Sequence, residues 1–145
     1  MVKLLFEKLD PIKLPLLQRF YKQHYPSKPK KNELIIVARQ NGEICAAVRF
    51  RPIEQYQLLT GMAVSETMRS NGIGHQLLTY CQEQILDSQV YCFAFPWLED
   101  FYQVHGFKTI DSESLPNSLK ILLKRYQNGG KSLIPMHYQQ EITHI

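Results

Sequence analysis

The hydrophobic and polar positions of this chain predict an alternation of strands and helices. Weak alternation over residues 3–8 indicates a first strand. Asp10 and Pro11 are typical of a helix start, since Asp caps the first turn and Pro fits into it. Apolar residues at helical spacing follow over residues 12–20. We expect this helix to end near Pro26, because a residue that precedes proline avoids the helical region.

Three strands are predicted next. Residues 34–38 form a β-branched run, the Asn41-Gly42 pair is a strong hairpin signal, and residues 44–50 form the return strand. We expect Pro52 to break that strand. Residues 56–64 then begin a third neighbouring strand. The first half of the sheet is therefore expected to be antiparallel.

A glycine-containing turn and a helix follow the third strand. Residues 69–74 read Arg-Ser-Asn-Gly-Ile-Gly, and the apolar residues beyond them recur at intervals of three and four. Residues 89–95 form an unbroken apolar run of the kind found in buried parallel strands. Strand, helix and strand together predict a βαβ crossover.

The last part of the chain has weaker signals. Residues 97–104 can form a short helix that ends at Gly106. Strands are predicted over residues 107–110 and 119–126. The predicted fold class is a single mixed α/β (α+β) domain, with a central mixed sheet of about six to seven strands and helices on both faces.

A division of the chain is predicted near its end. We assign residues 1–127 to the domain and residues 128–145 to a C-terminal tail of uncertain order. The tail could cover the acceptor cleft, exchange with a second subunit to form a homodimer, or be disordered. Disorder is the expectation for a terminus without a pattern.

Composition narrows the functional classes. The net charge is +4, without a basic stripe interleaved with aromatic residues, so no nucleic-acid partner is expected. No apolar segment approaches the roughly 20 residues of a membrane span, and the first residues are charged too soon for a secretory signal. We therefore predict a cytoplasmic protein without a membrane partner.

The cysteines predict neither disulfides nor a metal site. There are three of them, Cys45, Cys81 and Cys92, and no CxxC pair. Each has apolar neighbours in the sequence. We interpret them as small buried hydrophobic residues and expect no metal.

The glycine turn is suited to an anion. Backbone N–H groups and the positive end of the helix dipole converge at such a turn, and Gly72 and Gly74 allow close approach. A dinucleotide-binding fingerprint would need a glycine at Leu77, and a P-loop would need lysine at His75. Both of these phosphate loops are excluded.

Two motifs carry a resemblance to a known family. Arg69, Gly72 and Gly74 match a Gln/Arg-x-x-Gly-x-Gly/Ala signature, and residues 101–107 look like the Phe-Tyr-x-x-x-Gly-Phe segment found about 30 residues downstream of it. The chain therefore resembles the GNAT superfamily of acetyl-CoA-dependent N-acetyltransferases. The resemblance covers residues 34–126 in element order.

The resemblance implies an acyltransferase that moves an acetyl group from acetyl-CoA to an amine of a small molecule or peptide. The amine attacks directly in a ternary complex. The strand before the turn splays away from its parallel neighbour to admit pantetheine. The implied CoA-binding residues are Met62, Ala63, Val64, Arg69, Ser70, Asn71, Gly72, Ile73, Gly74, His75 and Tyr102.

Two groups are predicted to act on the reacting thioester. Gly61 interrupts the strand, where a glycine usually marks a bulge or a close backbone approach. The Met62 amide beside it is well placed to stabilise the oxyanion. Tyr102 matches the family tyrosine that commonly protonates the leaving thiolate, and a phenol is protonated at neutral pH.

The general base is left open. Residues 58–60 offer no carboxylate, and Glu54 is the nearest upstream acid. Glu66, His24, His105 and a water chain are the other options. The missing carboxylate motivates an alternative function, a catalytically silent GNAT-like domain that binds CoA as a sensor or interaction module. A third reading is a nucleotide-binding domain, which predicts that ATP or NAD raises the melting temperature and CoA does not.

The acceptor has only a compositional hint. Aromatic and basic residues occur on the elements expected to line its pocket, which suggests a polar or anionic acceptor. They are Tyr21, Tyr25, Arg49, Arg51 and Tyr56.

Overall fold

Seven strands and four α-helices alternate in the computed structural model, which describes residues 3–25, 28–30 and 32–139. The strands are β1 Leu5–Lys8, β2 Leu34–Gln40, β3 Glu43–Ile53, β4 Tyr56–Val64, β5 Val90–Ala94, β6 Phe107–Thr109 and β7 Ile134–Tyr138. The helices are α1 Leu14–His24, α2 Ile73–Gln84, α3 Glu99–Val104 and α4 Asn117–Asn128.

The sheet is mixed, as predicted. Its strand order is β1-β2-β3-β4-β5-β7-β6, and the pairs β1–β2, β2–β3, β5–β7 and β6–β7 are antiparallel. The N–H of Gln57, near the start of β4, donates to the carbonyl of Gln89, which directly precedes β5 (3.0 Å). Because both strands start at the same end, β4 and β5 are parallel.

The chain divides into two compact units. The first holds β1, α1, β2, α2 and most of β3 and β4. The second holds β5, α3, β6, α4, β7 and the segment Pro52–Leu58.

In the first unit, helices cover both faces of the strands. Residues of α1 pack on one face, where Leu17, Phe20 and Tyr21 share a core with Ile35 and Val37. The alternate residues of β2 point to the opposite face, and helix α2 also contacts β2. The buried α2 residues are Ile73, Leu77, Leu78 and Cys81.

The predicted hairpin between β2 and β3 is present, with one correction to the length of β3. Asn41 and Gly42 have φ values of 53° and 82°, as the tight turn between β2 and β3 requires. Pro52 does not break β3, which continues to Ile53. The pairing of β3 with β2 ends where Phe50 lies opposite Leu34, before Pro52 is reached. The missing N–H of Pro52 therefore costs no hydrogen bond to β2.

The predicted strand over residues 119–126 is wrong, because this segment is helix α4. Its leucines at positions 119, 122 and 123 have helical spacing. They pack in the core of the second unit with Leu58 and Tyr91. The short apolar run over residues 121–123, between Lys120 and Lys124, does not by itself distinguish a strand from a helix.

The expected disorder near the C-terminus is wrong for residues 134–138, which form β7 between β5 and β6. Met136 and Tyr138 are buried. Pro135 conceals the alternation of this strand, although its carbonyl accepts a hydrogen bond from Ile110 (3.1 Å). Residues 140–145 lie outside the described part of the chain.

All three cysteines are buried, as predicted. Burial raises the pKa of Cys81 and of Cys92 to about 12, against an ordinary value of 9.0. At pH values between 9.0 and about 12, these two thiols lose their protons in the unfolded chain and keep them in the folded protein. The free energy of unfolding should therefore fall as pH rises above about 9, by up to ~1.4 kcal/mol per pH unit per thiol.

Urea unfolding at pH 8, 9 and 10 measures this slope. The Cys81→Ala protein should show a shallower decline. Equal slopes for the two proteins would contradict the assignment of Cys81 as a buried neutral thiol.

Candidate active site

The turn between β4 and α2 has the backbone geometry of an anion site. Ser70 and Gly72 are left-handed, with φ values of 72° and 77°. The first helical hydrogen bond runs from the N–H of Gln76 to the carbonyl of Gly72 (3.0 Å). The amides of Ile73 and Gly74 precede that bond, at the positive end of the helix dipole. Backbone amides at such a position can donate to an anion.

Arg69 anchors the turn to the rest of the first unit. Its Nε donates to the carbonyl of Val64 at the end of β4 (3.1 Å), and its Nη2 donates to the carbonyl of His24 at the end of α1 (3.2 Å). The side chain thus binds the protein backbone at two points.

Gly61 is the predicted irregularity in β4. It is left-handed, with φ of 62°, and its carbonyl accepts a hydrogen bond from the Tyr21 hydroxyl of α1 (2.6 Å). A Cβ at this position would lie 2.6 Å from Nε of Arg49. Both the conformation and the space therefore require glycine.

A buried polar network surrounds Gly61. The Arg49 and Glu33 side chains are only 4% and 2% exposed and form an ion pair through Nη1 and Oε1 (3.0 Å). The same Nη1 donates to the carbonyl of Lys28 (2.7 Å). The guanidinium also donates to the hydroxyl of Tyr21 and lies 4.9 Å from the centre of its ring.

Tyr21 is a neutral hydrogen-bond donor in this network. Its side chain is fully buried. Burial raises the pKa of Tyr21 well above its ordinary range, despite the opposing charge of Arg49. The hydroxyl is therefore protonated at neutral pH and can donate a hydrogen bond.

The sequence interpretation missed this network. It suggested Tyr21 and Arg49 as residues lining an acceptor pocket, which is wrong because both are buried against Gly61. Glu33 was not singled out. The sequence contained one signal for the network, since Arg49 lies between the apolar residues Val48 and Phe50 of β3. A charged side chain that is buried in this way needs a partner.

Tyr102 lies on α3, in the second unit. Its side chain is 4% exposed and packs between Phe101 and Phe107, with ring centres 5.2 and 5.7 Å away. The Tyr102 hydroxyl hydrogen-bonds the thiol of Cys92 on β5. These contacts hold the phenol in one orientation.

The other predicted residues differ in exposure. Met62 and Val64 are half-buried and Ala63 is buried, while Asn71 and His75 are exposed. Among the candidate bases, Glu54 and Glu66 are exposed and His105 is buried. Glu54 has a left-handed φ of 54° in the β3–β4 turn. His24 is half-buried, and its Nδ1 has no hydrogen-bond partner among the described residues.

In residues 3–25, 28–30 and 32–139, no group of three or more His, Cys, Asp or Glu side chains is placed to hold a metal ion. Within the same described ranges, no helix is long and apolar enough to cross a bilayer.

The acetyltransferase (GNAT) domain family matches residues 31–109, more than half of the chain. Among curated protein sequences, no match was found.

Several solved structures share the fold. The ribosomal-protein-S18-alanine N-acetyltransferase of Escherichia coli has a TM-score of 0.67 at 13% identity, with 99% of each chain covered. Rv2747 of Mycobacterium tuberculosis, in complex with CoA, has a TM-score of 0.67 at 15% identity, with 94% of this chain and 99% of that chain covered.

A third protein with a similar fold has a longer chain. It is N-acetylglutamate synthase of Neisseria gonorrhoeae complexed with CoA and N-acetyl-glutamate, with a TM-score of 0.68 at 14% identity. The match covers 97% of this chain and 36% of that enzyme, so the chain spans about a third of its length. At these identities the structural likeness concerns the fold.

Proposed function

Because the chain belongs to the GNAT acetyltransferase domain family, we propose that it transfers an acetyl group from acetyl-CoA to an amine of a small molecule or peptide. The observation that supports this most directly is the turn before α2. Two left-handed residues there, Ser70 and Gly72, present the first amides of the helix to an anion. A CoA pyrophosphate fits that chemistry.

The proposed donor site follows the end of β4 and the turn. Met62, Ala63 and Val64 contact the pantetheine arm. The backbone of residues 69–74, with His75, binds the pyrophosphate. Acetyl-CoA supplies an activated thioester, and the protein supplies orientation and the groups that stabilise charge.

In the proposed reaction the amine nitrogen forms a bond to the acetyl carbon while the carbon–sulfur bond breaks. The Met62 N–H stabilises the negative charge on the carbonyl oxygen. The Tyr102 hydroxyl gives its proton to the leaving sulfur. The proton lost by the amine passes to solvent water, and solvent returns a proton to Tyr102. Glu54 does not serve as the base, because it lies in the turn before β4, eight positions ahead of Met62, and each residue of a strand advances about 3.3 Å.

Charge at the turn should control CoA binding. The Asn71→Asp protein should bind CoA about 10-fold more weakly at low salt, because the new carboxylate repels the pyrophosphate. Its stability should not fall, since an acidic residue near a helix N-terminus is favourable. Calorimetric titration gives the affinity, and thermal unfolding gives the stability.

The matched control is Asn117→Asp, the same substitution at the exposed start of α4. It should leave the CoA affinity unchanged. Equal affinities for the Asn71→Asp and wild-type proteins would contradict the assignment of the turn.

The alternative function is a catalytically silent CoA-binding module. It is favoured by one observation: the carboxylate nearest to β4 on its upstream side, Glu54, is exposed in a turn. A thiol-release assay with acetyl-CoA and a panel of primary amines separates the two functions. Amine-dependent release supports the enzyme, whereas acetyl-CoA binding without release on any amine supports the module.

A further inference from the structure

We propose that Tyr21 is a positioning residue that fixes and polarises the oxyanion-stabilising peptide of the active site. The inference rests on the proposed function, because it assigns the Met62 N–H as the donor to the thioester oxygen. It adds a role for a buried helix residue outside the CoA-binding motifs.

The oxyanion donor shares a peptide unit with the group that Tyr21 contacts. The Gly61 carbonyl and the Met62 N–H belong to the same planar group. All peptide bonds of the described residues are trans, so these two groups point in opposite directions. A hydrogen bond that holds the carbonyl therefore also sets the direction of the N–H. The Tyr21 hydroxyl makes that bond at 2.6 Å.

The hydrogen bond from Tyr21 maintains an unusual backbone conformation at Gly61. Gly61 is left-handed within a strand, which turns its carbonyl toward α1 instead of along the regular ladder. The buried carbonyl needs a donor there. Tyr21 supplies it from a helix that is packed by Leu17 and Phe20. The peptide is thus held by a rigid element.

A chain of hydrogen bonds polarises the Gly61 carbonyl. The Glu33 carboxylate accepts from Arg49, the Arg49 guanidinium donates to the Tyr21 hydroxyl, and that hydroxyl donates to Gly61. Hydrogen bonds in such a chain strengthen one another. The positive charge of Arg49 beside the Tyr21 hydroxyl makes Tyr21 a stronger donor, and a more polarised Gly61 carbonyl makes the Met62 N–H a stronger donor in turn.

The test is the Tyr21→Phe protein, studied by kinetics and by isotope-edited infrared spectroscopy of bound [1-¹³C]acetyl-CoA. In the wild-type protein the thioester C=O band should lie at lower wavenumber than in free acetyl-CoA. In Tyr21→Phe the band should move back toward the free value. The kcat should fall about 10-fold, the scale of one hydrogen bond, with KM for acetyl-CoA within about twofold.

A stability control separates positioning from simple destabilisation. Val37 is fully buried in the same core, and Val37→Ala should lower the melting temperature while leaving the C=O band at its wild-type position. If Tyr21→Phe does not fold, Arg49→Lys replaces it, since lysine keeps the charge but loses the planar donor set. Its band should move in the same direction by a smaller amount.

The outcomes distinguish the two proposals. A wild-type band position in folded Tyr21→Phe, or in folded Arg49→Lys where that variant replaces it, overturns the role of Tyr21, whatever the activity. A shifted wild-type band without turnover on any amine contradicts the proposed transferase and leaves the positioning role intact. An unshifted band in wild-type protein saturated with acetyl-CoA, or no binding of acetyl-CoA, overturns the Met62 donor and this inference with it.

Discussion

The Tyr102→Phe protein should bind acetyl-CoA normally and transfer the acetyl group about 100-fold more slowly, which is the usual loss on removing a general acid. Phenylalanine keeps the ring between Phe101 and Phe107, so the fold should be retained. The hydroxyl that would protonate the leaving sulfur is removed. Steady-state kinetics on any amine acceptor, with calorimetric measurement of CoA affinity, give both quantities.

The matched control for this prediction is Tyr138→Phe. Tyr138 is also buried and also packs on Phe107, with ring centres 5.5 Å apart. Removing its hydroxyl should leave kcat unchanged. A wild-type kcat for Tyr102→Phe would refute the acid role, and equal losses in both variants would indicate a packing effect.

The second large effect concerns stability. Arg49→Met should lower the free energy of unfolding by about 3–5 kcal/mol, because it leaves the Glu33 carboxylate buried without its partner. Adding Glu33→Met in the same protein should restore much of the loss, since an apolar pair replaces the charges. Urea unfolding followed by circular dichroism measures all three proteins.

An exposed ion pair provides the comparison. Lys120 and Glu113 lie 3.2 Å apart, with side chains 35% and 80% exposed. Lys120→Met should cost less than about 1 kcal/mol. If Arg49→Met costs no more than Lys120→Met, the buried network contributes little to the fold.

Local signals explain what the sequence could predict. The bounds of β4 and the turn into α2 follow from an apolar strand, two glycines and a helical stripe, all of which act within a few residues. Gly61 was identified as irregular because an isolated glycine in a strand has few other uses. The Asn41-Gly42 hairpin is specified in the same way.

Helix α4 and strand β7 could not be predicted from local signals. The segment that forms α4 contains the short apolar run 121–123, which is compatible with a strand or a helix, and the core that it packs into decides its structure. Pro135 hides β7, because proline cannot donate to a strand ladder and therefore argues against the central position that β7 has between β5 and β6.

The network around Gly61 needed the fold. It joins Glu33, Arg49 and Tyr21, which are 12 to 28 positions apart in the chain. Composition alone therefore suggested an exposed acceptor pocket where the protein has a buried hydrogen-bond chain.

Acetyl transfer itself is tested most directly by incubating the full chain with [¹³C]acetyl-CoA and a panel of small-molecule and peptide amines, followed by mass spectrometry of the amines. The predicted result is at least one amine that carries the labelled acetyl group, formed with wild-type protein and strongly reduced with Tyr102→Phe. Saturable binding of acetyl-CoA with no labelled amine anywhere in the panel would contradict the transferase and favour the silent CoA-binding module.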